Sequence, residues 1–467
     1  MTVSPDSYPP EDVRDDFIPK DVYFSPEFAQ LEERNLWPYV WQLACRLEEI
    51  SEVGDYVTYD IVDDSIIVVR SSATAVKAYH NVCPHRGRRL ADSCGHANTF
   101  VCRFHGWQFN LEGANTKVVD PADWGDRLQD GDIRLKEVKA DLWGGFVFIN
   151  MDPDCEPLSQ FVAPIDDYCS KFEFDKLRFR WYKTTIVPAN WKTILEFFNE
   201  FYHVQQTHGQ LLPFTNDYSN SGGFGRHAAM WYPATGALPL SRSPRLPPKE
   251  EPDFRNFILN FVETFNRDLK AMVTERNYAA TQRLRTEVEA TASPIEVMTK
   301  WVQFQVEAAA ADGSGWPQGL TAEYIDRSKL DWHMFPNTIY LHGFVDGVLW
   351  YRARPNGHDP ESAIFDVWSL QRYGPGQAPP LQREYYADWR QGDWPLIFRQ
   401  DFSNIGEVQK GLKSRGFTGA RANPVQERAI SHFHRTLREF LRDAPMASWK
   451  RRATRLAPAP AASAPLR

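Results

Sequence analysis

"CPHRGRRLADSCGHANTFVCRFHGWQF", residues 83–109, holds three of the chain's six cysteines and three of its twelve histidines. Two mixed pairs stand out, Cys83-Pro84-His85 and Cys102-Arg103-Phe104-His105. Both lie at the ends of β-branched and aromatic runs and both are followed by glycine, so two loops can converge. A structural zinc site usually pairs Cys with Cys and His with His in chain order, and the mixed order here argues against one. Cys94 and His96 lie between the pairs and belong to neither.

The flanking sequence is all β in character. "DYVTYDIV", "SIIVVR" and "AVKAYHNV" precede the pairs, a hairpin turning at Asn110–Gly113 follows, and "LWGGFVFINMDP" closes the run. These segments predict a small all-β domain over residues 37–155. Residues 1–36 predict an acidic arm ending in a short helix. Residues 156–450 predict a larger mixed domain. In it, "NWKTILEFFNEFYHV", "FRNFILNFVETFNRDLKAMV", "PIEVMTKWVQFQVEAAAA", "PLIFRQDFSNIGEVQKGLKSRG" and "VQERAISHFHRTLREFLRD" are expected helices. Strands are expected from 335 to 373. Residues 209–250, rich in Gly, Pro and Ser, read as loops, and the low-complexity residues 451–467 as a disordered tail.

Bulk properties narrow the function. A chain of 467 residues exceeds one ordinary core, so two or three domains are expected. Net charge is −8 without a basic stripe, which disfavours nucleic acid. No apolar run reaches membrane-spanning length. The N-terminus has no signal-peptide pattern, so a cytoplasmic location is expected. Six cysteines are too few for a disulfide scaffold, and Cys45, Cys155 and Cys169 read as small buried hydrophobes.

Mixed Cys/His pairs suit a [2Fe–2S] centre in which two imidazoles replace two thiolates on one iron. A carrier of that kind needs only about a hundred residues, so the remaining chain must do something else. Within "NWKTILEFFNEFYHVQQTHGQ", Glu196, Glu200 and His203 share one face of an expected helix. His208 follows at i+5, which requires a bulge or a helix end to bring both imidazoles to one point. Two histidines and one carboxylate make the facial triad of non-haem Fe(II) sites. Asp401 lies on the apolar face of its expected helix with Ile405, Val408 and Leu412. A metal would satisfy it, as would an ion pair with Arg399 or Lys410. Glu407 and Asp393 are the next acids in line.

The motif C-x-H…C-x-x-H, with His-Gly-Trp at its end, resembles the Rieske motif. From about residue 37 to 440 the chain resembles the α (catalytic) subunit of Rieske non-haem iron aromatic ring-hydroxylating oxygenases. The resemblance implies that Cys83, His85, Cys102 and His105 hold a [2Fe–2S] cluster. It also implies that His203, His208 and Asp401 hold Fe(2+), one of each centre per subunit. Glu200 falls on the acid that links the cluster of one subunit to the iron of its neighbour, where many members have Asp. Many members also have Asn where this chain has Phe197.

The implied fold is α+β, a small all-β domain plus a catalytic domain whose antiparallel sheet grips helices, START-like. The implied activity is oxygenation, with dihydroxylation of a small aromatic substrate by O₂ as the main expectation. A monooxygenase or O-/N-demethylase on the same machinery is the alternative, and a non-catalytic electron carrier a third reading. No dinucleotide-binding or plant-type ferredoxin motif is seen. A separate NAD(P)H-dependent reductase, with or without a ferredoxin, is therefore expected. A trimer, α3 or α3β3, is implied as well. Residues 209–330 carry no motif and are expected to determine the substrate.

Overall fold

The computed structural model describes residues 4–233 and 240–456. The fold is α+β. A seven-stranded sheet runs in the order Gln42–Arg46, Phe146–Asn150, Glu137–Trp143, Val76–His80, Asp64–Arg70, Asp55–Ile61, Cys94–His96. The β-branched run Ile66–Val69 is fully buried, which marks a strand covered on both faces. In Asp55–Ile61 only Val57, Tyr59 and Ile61 point inward, the alternation of a strand with one wet face. Phe100–Val101, Gln108–Phe109 and Asn115–Lys117 form a three-stranded sheet. Cys83 and Cys102 are buried in a separate small core with Ile67, Tyr79, Trp107 and Phe109.

The second sheet has eight strands, in the order Asn220–Phe224, His227–Trp231, Asp331–Met334, Thr338–Leu341, Gly347–Asn356, Asp359–Arg372, Leu177–Val187, Arg383–Tyr386. All its pairings are antiparallel except the last, which is parallel. The helix Trp191–Glu196 packs on the strands Gly347–Asn356 and Asp359–Arg372 and against the helix Leu396–Leu412. The helix Arg428–Leu456 covers the Asn220–Phe224 edge. This is the helix-grip arrangement that places both metal-site segments against one sheet face.

Three buried polar contacts tie these parts together. Arg352 bonds Asp366 at 2.7 Å and donates to the carbonyls of Leu43 and Ala44, joining the larger sheet to the smaller. Lys192 meets Glu32 at 2.6 Å with both side chains nearly inaccessible, and Trp191 donates to the same carboxylate. Removing one partner of such a pair leaves a buried charge uncompensated, which costs about 3–5 kcal/mol.

Several expectations need correction. Residues 209–250 are not only loop. Asn220–Phe224 and His227–Trp231 are strands. The glycines there serve close packing, since a Cβ on Gly223 would lie 2.3 Å from His432 on the covering helix. Within that segment residues 234–239 lie outside the described residues. The helix expected through residue 273 stops at Asp268, ahead of Lys270 in a left-handed conformation. The final helix continues to Leu456, six residues into the expected tail; residues 457–467 lie outside the described residues. Cys45 and Cys169 are buried as expected, while Cys155 is only partly so.

Three buried histidines are locked neutral. His227 Nε2 donates to the Phe161 carbonyl at 2.7 Å, while its Nδ1 accepts from the Phe335 amide at 3.1 Å. His333 Nε2 donates to the Pro336 carbonyl, and its Nδ1 accepts from Asn199. Burial pushes His227 down to about 3, and His333 and His342 down to about 4. Their folded values lie below the unfolded value near 6.5, so the unfolded chain binds more protons below that pH. Stability from these groups is therefore complete above about pH 6.5 and lost as pH falls toward 4. The three together contribute a slope of roughly 4 kcal/mol per pH unit in that window. Urea denaturation at pH 7.0 and 5.5 should show a clearly lower midpoint at the acid value; equal midpoints would refute this.

Candidate metal centres

The two Cys/His loops are built alike. The Cys83 amide donates to the Arg88 carbonyl and the Gly87 amide to the Cys83 carbonyl, at 2.8 and 2.9 Å. The Cys102 amide donates to the Trp107 carbonyl and the Gly106 amide to the Cys102 carbonyl, again at 2.8 and 2.9 Å. Gly87 and Gly106 close the two turns at φ of +75° and +74°, a region costly for any residue with a Cβ. Sequence thus fixes two matching loops, each offering one sulfur and one imidazole.

Burial disfavours the thiolate at both cysteines, while the nearby amides of His85 and Arg86 at Cys83, and of Phe104 and His105 at Cys102, favour it. The rings of His85 and His105 lie 4.6 Å apart, and His85 stacks on Trp107 at 4.8 Å. Nδ1 of both histidines is buried without a hydrogen-bond partner. Two free thiols and two unpartnered imidazole nitrogens on converging loops are the donor set of a mixed Cys/His iron–sulfur centre. Cys94 and His96 lie elsewhere, on an exposed edge strand where His96 faces Asp55 at 3.0 Å.

The second centre forms where a helix breaks. The helix Trp191–Glu196 ends at Phe197, and a second short helix spans Val204–Thr207. His203 and His208 are the two caps of that short helix, which is how an i+5 spacing converges. Glu196, Glu200 and His203 therefore do not share one helix face. Glu196 turns away to His434 at 2.6 Å and Tyr23 at 3.1 Å. Phe197 packs with its ring 6.2 Å from that of His203.

His203 Nδ1 meets Glu200 Oε1 at 2.6 Å, and the His203 amide donates to Glu200 Oε2. His208 Nδ1 meets Gln400 Oε1 at 2.9 Å, and Gln210 donates to the same oxygen. An acceptor on each Nδ1 fixes the Nδ1–H tautomer and leaves each Nε2 a lone pair. Both Nε2 atoms face Asp401 Oδ1, at 3.6 Å from His203 and 2.9 Å from His208. Asp401 is 2% exposed, yet Oδ1 has no aligned hydrogen bond. Lone pairs on three atoms converge on one point, an arrangement that a cation satisfies. Burial alone would lower the His203 imidazole, but Glu200 and then Asp401 outweigh it and raise it to about 9, so without a metal its Nε2 holds a proton, and a bound cation takes that proton's place on the lone pair. The pocket favours positive charge. Arg399 and Lys410 do not compete for Asp401 among the described residues; Lys410 pairs with Glu407 at 2.7 Å.

A ring hydroxylating alpha subunit (catalytic domain) family model matches residues 173–443, over half of the chain. The chain belongs to this family. A Rieske [2Fe–2S] domain model matches residues 40–124 in addition. The cofactors of this Rieske oxygenase α subunit are a [2Fe–2S] cluster and Fe(2+). The chain is similar to the glycine betaine monooxygenase oxygenase subunit of Chromohalobacter salexigens, 32% identical over 44% of this chain and 46% of that one. It is similar to the carnitine monooxygenase oxygenase subunit of Escherichia coli K12, 34% identical over 41% and 52%. The matched stretch spans about half the length of these curated relatives. It shares its fold with the crystal structure of the quaternary ammonium Rieske monooxygenase CntA in complex with L-carnitine. That match has a TM-score of 0.61 and 17% identity, covering 94% of this chain and 99% of that one.

Sequence reasoning missed Gln400, Gln210 and the Tyr23–Glu196–His434 group. Gln400 stands next to Asp401 in the chain, but nothing in its spacing distinguishes it from any helical glutamine. Because the partner on Nδ1 orients a metal-binding imidazole, Glu200→Ala and Gln400→Ala should each weaken iron retention by about 10- to 100-fold. The check is iron content after dialysis against a graded chelator, with the visible cluster absorption unchanged. Wild-type retention in both variants would refute the positioning role.

Proposed function

We propose that this chain is the oxygenase component of a Rieske monooxygenase acting on a quaternary ammonium compound. In this reading Cys83, His85, Cys102 and His105 hold the cluster. His203, His208 and Asp401 hold the iron. The cluster-bearing domain spans residues 37–155 and the iron-bearing domain 156–450, with residues 1–36 as an arm packed on the latter. Electrons come from a separate NAD(P)H-dependent reductase, with or without a ferredoxin, and the working form is a trimer.

The observation that carries the reading is the convergence of His203 Nε2, His208 Nε2 and the unpartnered Asp401 Oδ1 on one buried point. A carrier of electrons alone has no use for it. When bound, the cluster supplies one-electron transfer and the iron supplies dioxygen chemistry. Three protein donors on one side leave the remaining positions to small ligands. Glu200 and Gln400 hold the imidazoles in the ligating tautomer. Phe198, two residues before Glu200, packs on Tyr351 at 4.4 Å and on Phe365 at 5.3 Å, which anchors the loop that carries Glu200 to the sheet. Glu200 commits both carboxylate oxygens to His203, which couples any partner at the Glu200 side to the ring orientation.

The choice of monooxygenation over dihydroxylation is supported by the two relatives above, both named as monooxygenase subunits. Dihydroxylation of an aromatic compound, the main expectation from sequence, becomes the second reading. Phe197, its ring 6.2 Å from that of His203, is compatible with it, since an aromatic face accepts a flat apolar substrate as readily as a methylated cation.

Turnover with a surrogate reductase under ¹⁸O₂ separates the two readings. The panel should contain glycine betaine, carnitine, choline and several aromatic acids, with aldehyde products reduced by borohydride before their oxygen exchanges. The expected result is consumption of an ammonium compound with one labelled oxygen atom. Two labelled atoms on adjacent ring carbons of an aromatic product would overturn it in favour of the second reading.

A further inference from the structure

Tyr23 belongs to neither ligand set, yet it touches both elements that carry the iron-site donors. It ends the short helix Lys20–Tyr23 in the N-terminal arm, ahead of both stretches matched by the family models, residues 40–124 and 173–443. It is 1% exposed. Its hydroxyl donates to Glu196 Oε2 at 3.1 Å and lies 3.1 Å from His434 Nε2. His434 Nε2 in turn meets Glu196 Oε1 at 2.6 Å. The main-chain carbonyl of Tyr23 accepts from the Gln409 side chain at 3.1 Å.

Glu196 is the last residue of the helix Trp191–Glu196, and the break that leads to His203 follows it. Gln409 stands on the helix Leu396–Leu412, the one that carries Asp401. Its side chain also accepts from the Asn190 amide and the Thr193 hydroxyl. Tyr23 thus links the helix before the histidines to the helix of the third donor, by side chain on one and by main chain on the other.

The polar triangle at the hydroxyl is closed. As a carboxylate Glu196 only accepts, so His434 carries its proton on Nε2 and the phenol donates to the second oxygen. That leaves His434 Nδ1 as a bare lone pair, and it is buried without a hydrogen-bond partner. An imidazolium would place an unmatched N–H there, and burial also favours the neutral ring. Packing alone asks only for a ring of this size, which Phe would supply; the hydroxyl serves Glu196 and His434. The same stretch of the helix Arg428–Leu456 steadies the residues after the break. Asn199 bonds His333 Nδ1, and the His333 ring lies 4.7 Å from Phe433, the residue before His434. Phe433 also packs on Trp191 at 5.8 Å.

We propose that Tyr23 is a positioning residue for the iron site. It sets the helix break at Glu196 against the helix of Asp401, and with it the spacing between the two histidines and the carboxylate. This rests on the iron ligand set given above and adds a determinant supplied by the arm. Tyr23 acts through Glu196 and Gln409 and takes no part in the oxygen chemistry.

The test compares Tyr23→Phe, His434→Gln and His434→Leu with the wild-type holoenzyme. Iron retention is measured by dialysis against a graded chelator. Site geometry is read from the EPR spectrum of the ferrous nitrosyl, with the cluster kept oxidised. Tyr23→Phe should release iron about tenfold more readily and show an altered nitrosyl spectrum. Its cluster absorption should be unchanged and its iron-free melting temperature within about 4 °C of wild type. His434→Gln, whose amide nitrogen can donate in place of Nε2, should stay near wild type; His434→Leu should behave as Tyr23→Phe does. Wild-type iron retention and nitrosyl spectrum in Tyr23→Phe overturn the proposal. So does a larger fall in melting temperature with an unaltered nitrosyl spectrum, or equal iron loss in both His434 variants, since either marks a role in packing alone. Asp401→Ala is the reference: wild-type iron retention there overturns the ligand set, and this proposal with it.

Discussion

Two imidazoles whose Nδ1 atoms are already taken must present their Nε2 lone pairs to the same carboxylate oxygen. That is an electrostatically poor arrangement unless a cation occupies the centre, and the fold around it exists to maintain it. Glu200 and Gln400 set the tautomers from opposite sides. The break after Glu196 places His203 and His208 on the caps of a one-turn helix instead of on one helical face. The long helix Leu396–Leu412 delivers Asp401 from a point some two hundred residues away, and its apolar face fixes the depth of the carboxylate. Each element alone is ordinary. Their convergence requires the sheet and helices to hold position closely, because a displaced donor would meet lone pairs and no ion.

The rest of the molecule supplies that rigidity. Lys192 and Glu32 lie under the iron-site helix as a fully enclosed ion pair, so the N-terminal helix anchors the segment that breaks at Phe197. Gln409, three turns and more along from Pro395, accepts from the Asn190 amide and from the Thr193 hydroxyl. It thereby joins the helix carrying Asp401 to the start of the helix before the histidines. Arg352 spans from Asp366 to the strand Gln42–Arg46, so the smaller sheet is fastened to the larger by buried hydrogen bonds as well as by apolar packing. Such contacts add little net stability compared with apolar replacements, but each is costly to break singly, which makes the relative placement of parts well defined.

Much of this was legible in the sequence, and the reasons are specific. The paired Cys/His loops could be read because their donors lie within a few residues of one another and each loop needs a glycine at one place, Gly87 and Gly106. Pro294–Ala311 and Leu396–Leu412 could be read because their apolar periodicity is long and uninterrupted. The break after Glu196 could only be inferred from the i+5 spacing of the histidines, since the helical pattern itself runs on through it. The strands Asn220–Phe224 and His227–Trp231 were hidden because Gly223, which reads locally as a loop residue, answers to His432 on a helix two hundred residues later. Gln400 was hidden for a related reason: its importance lies in the His208 imidazole that faces it, and a partner distant in the chain leaves no local signal.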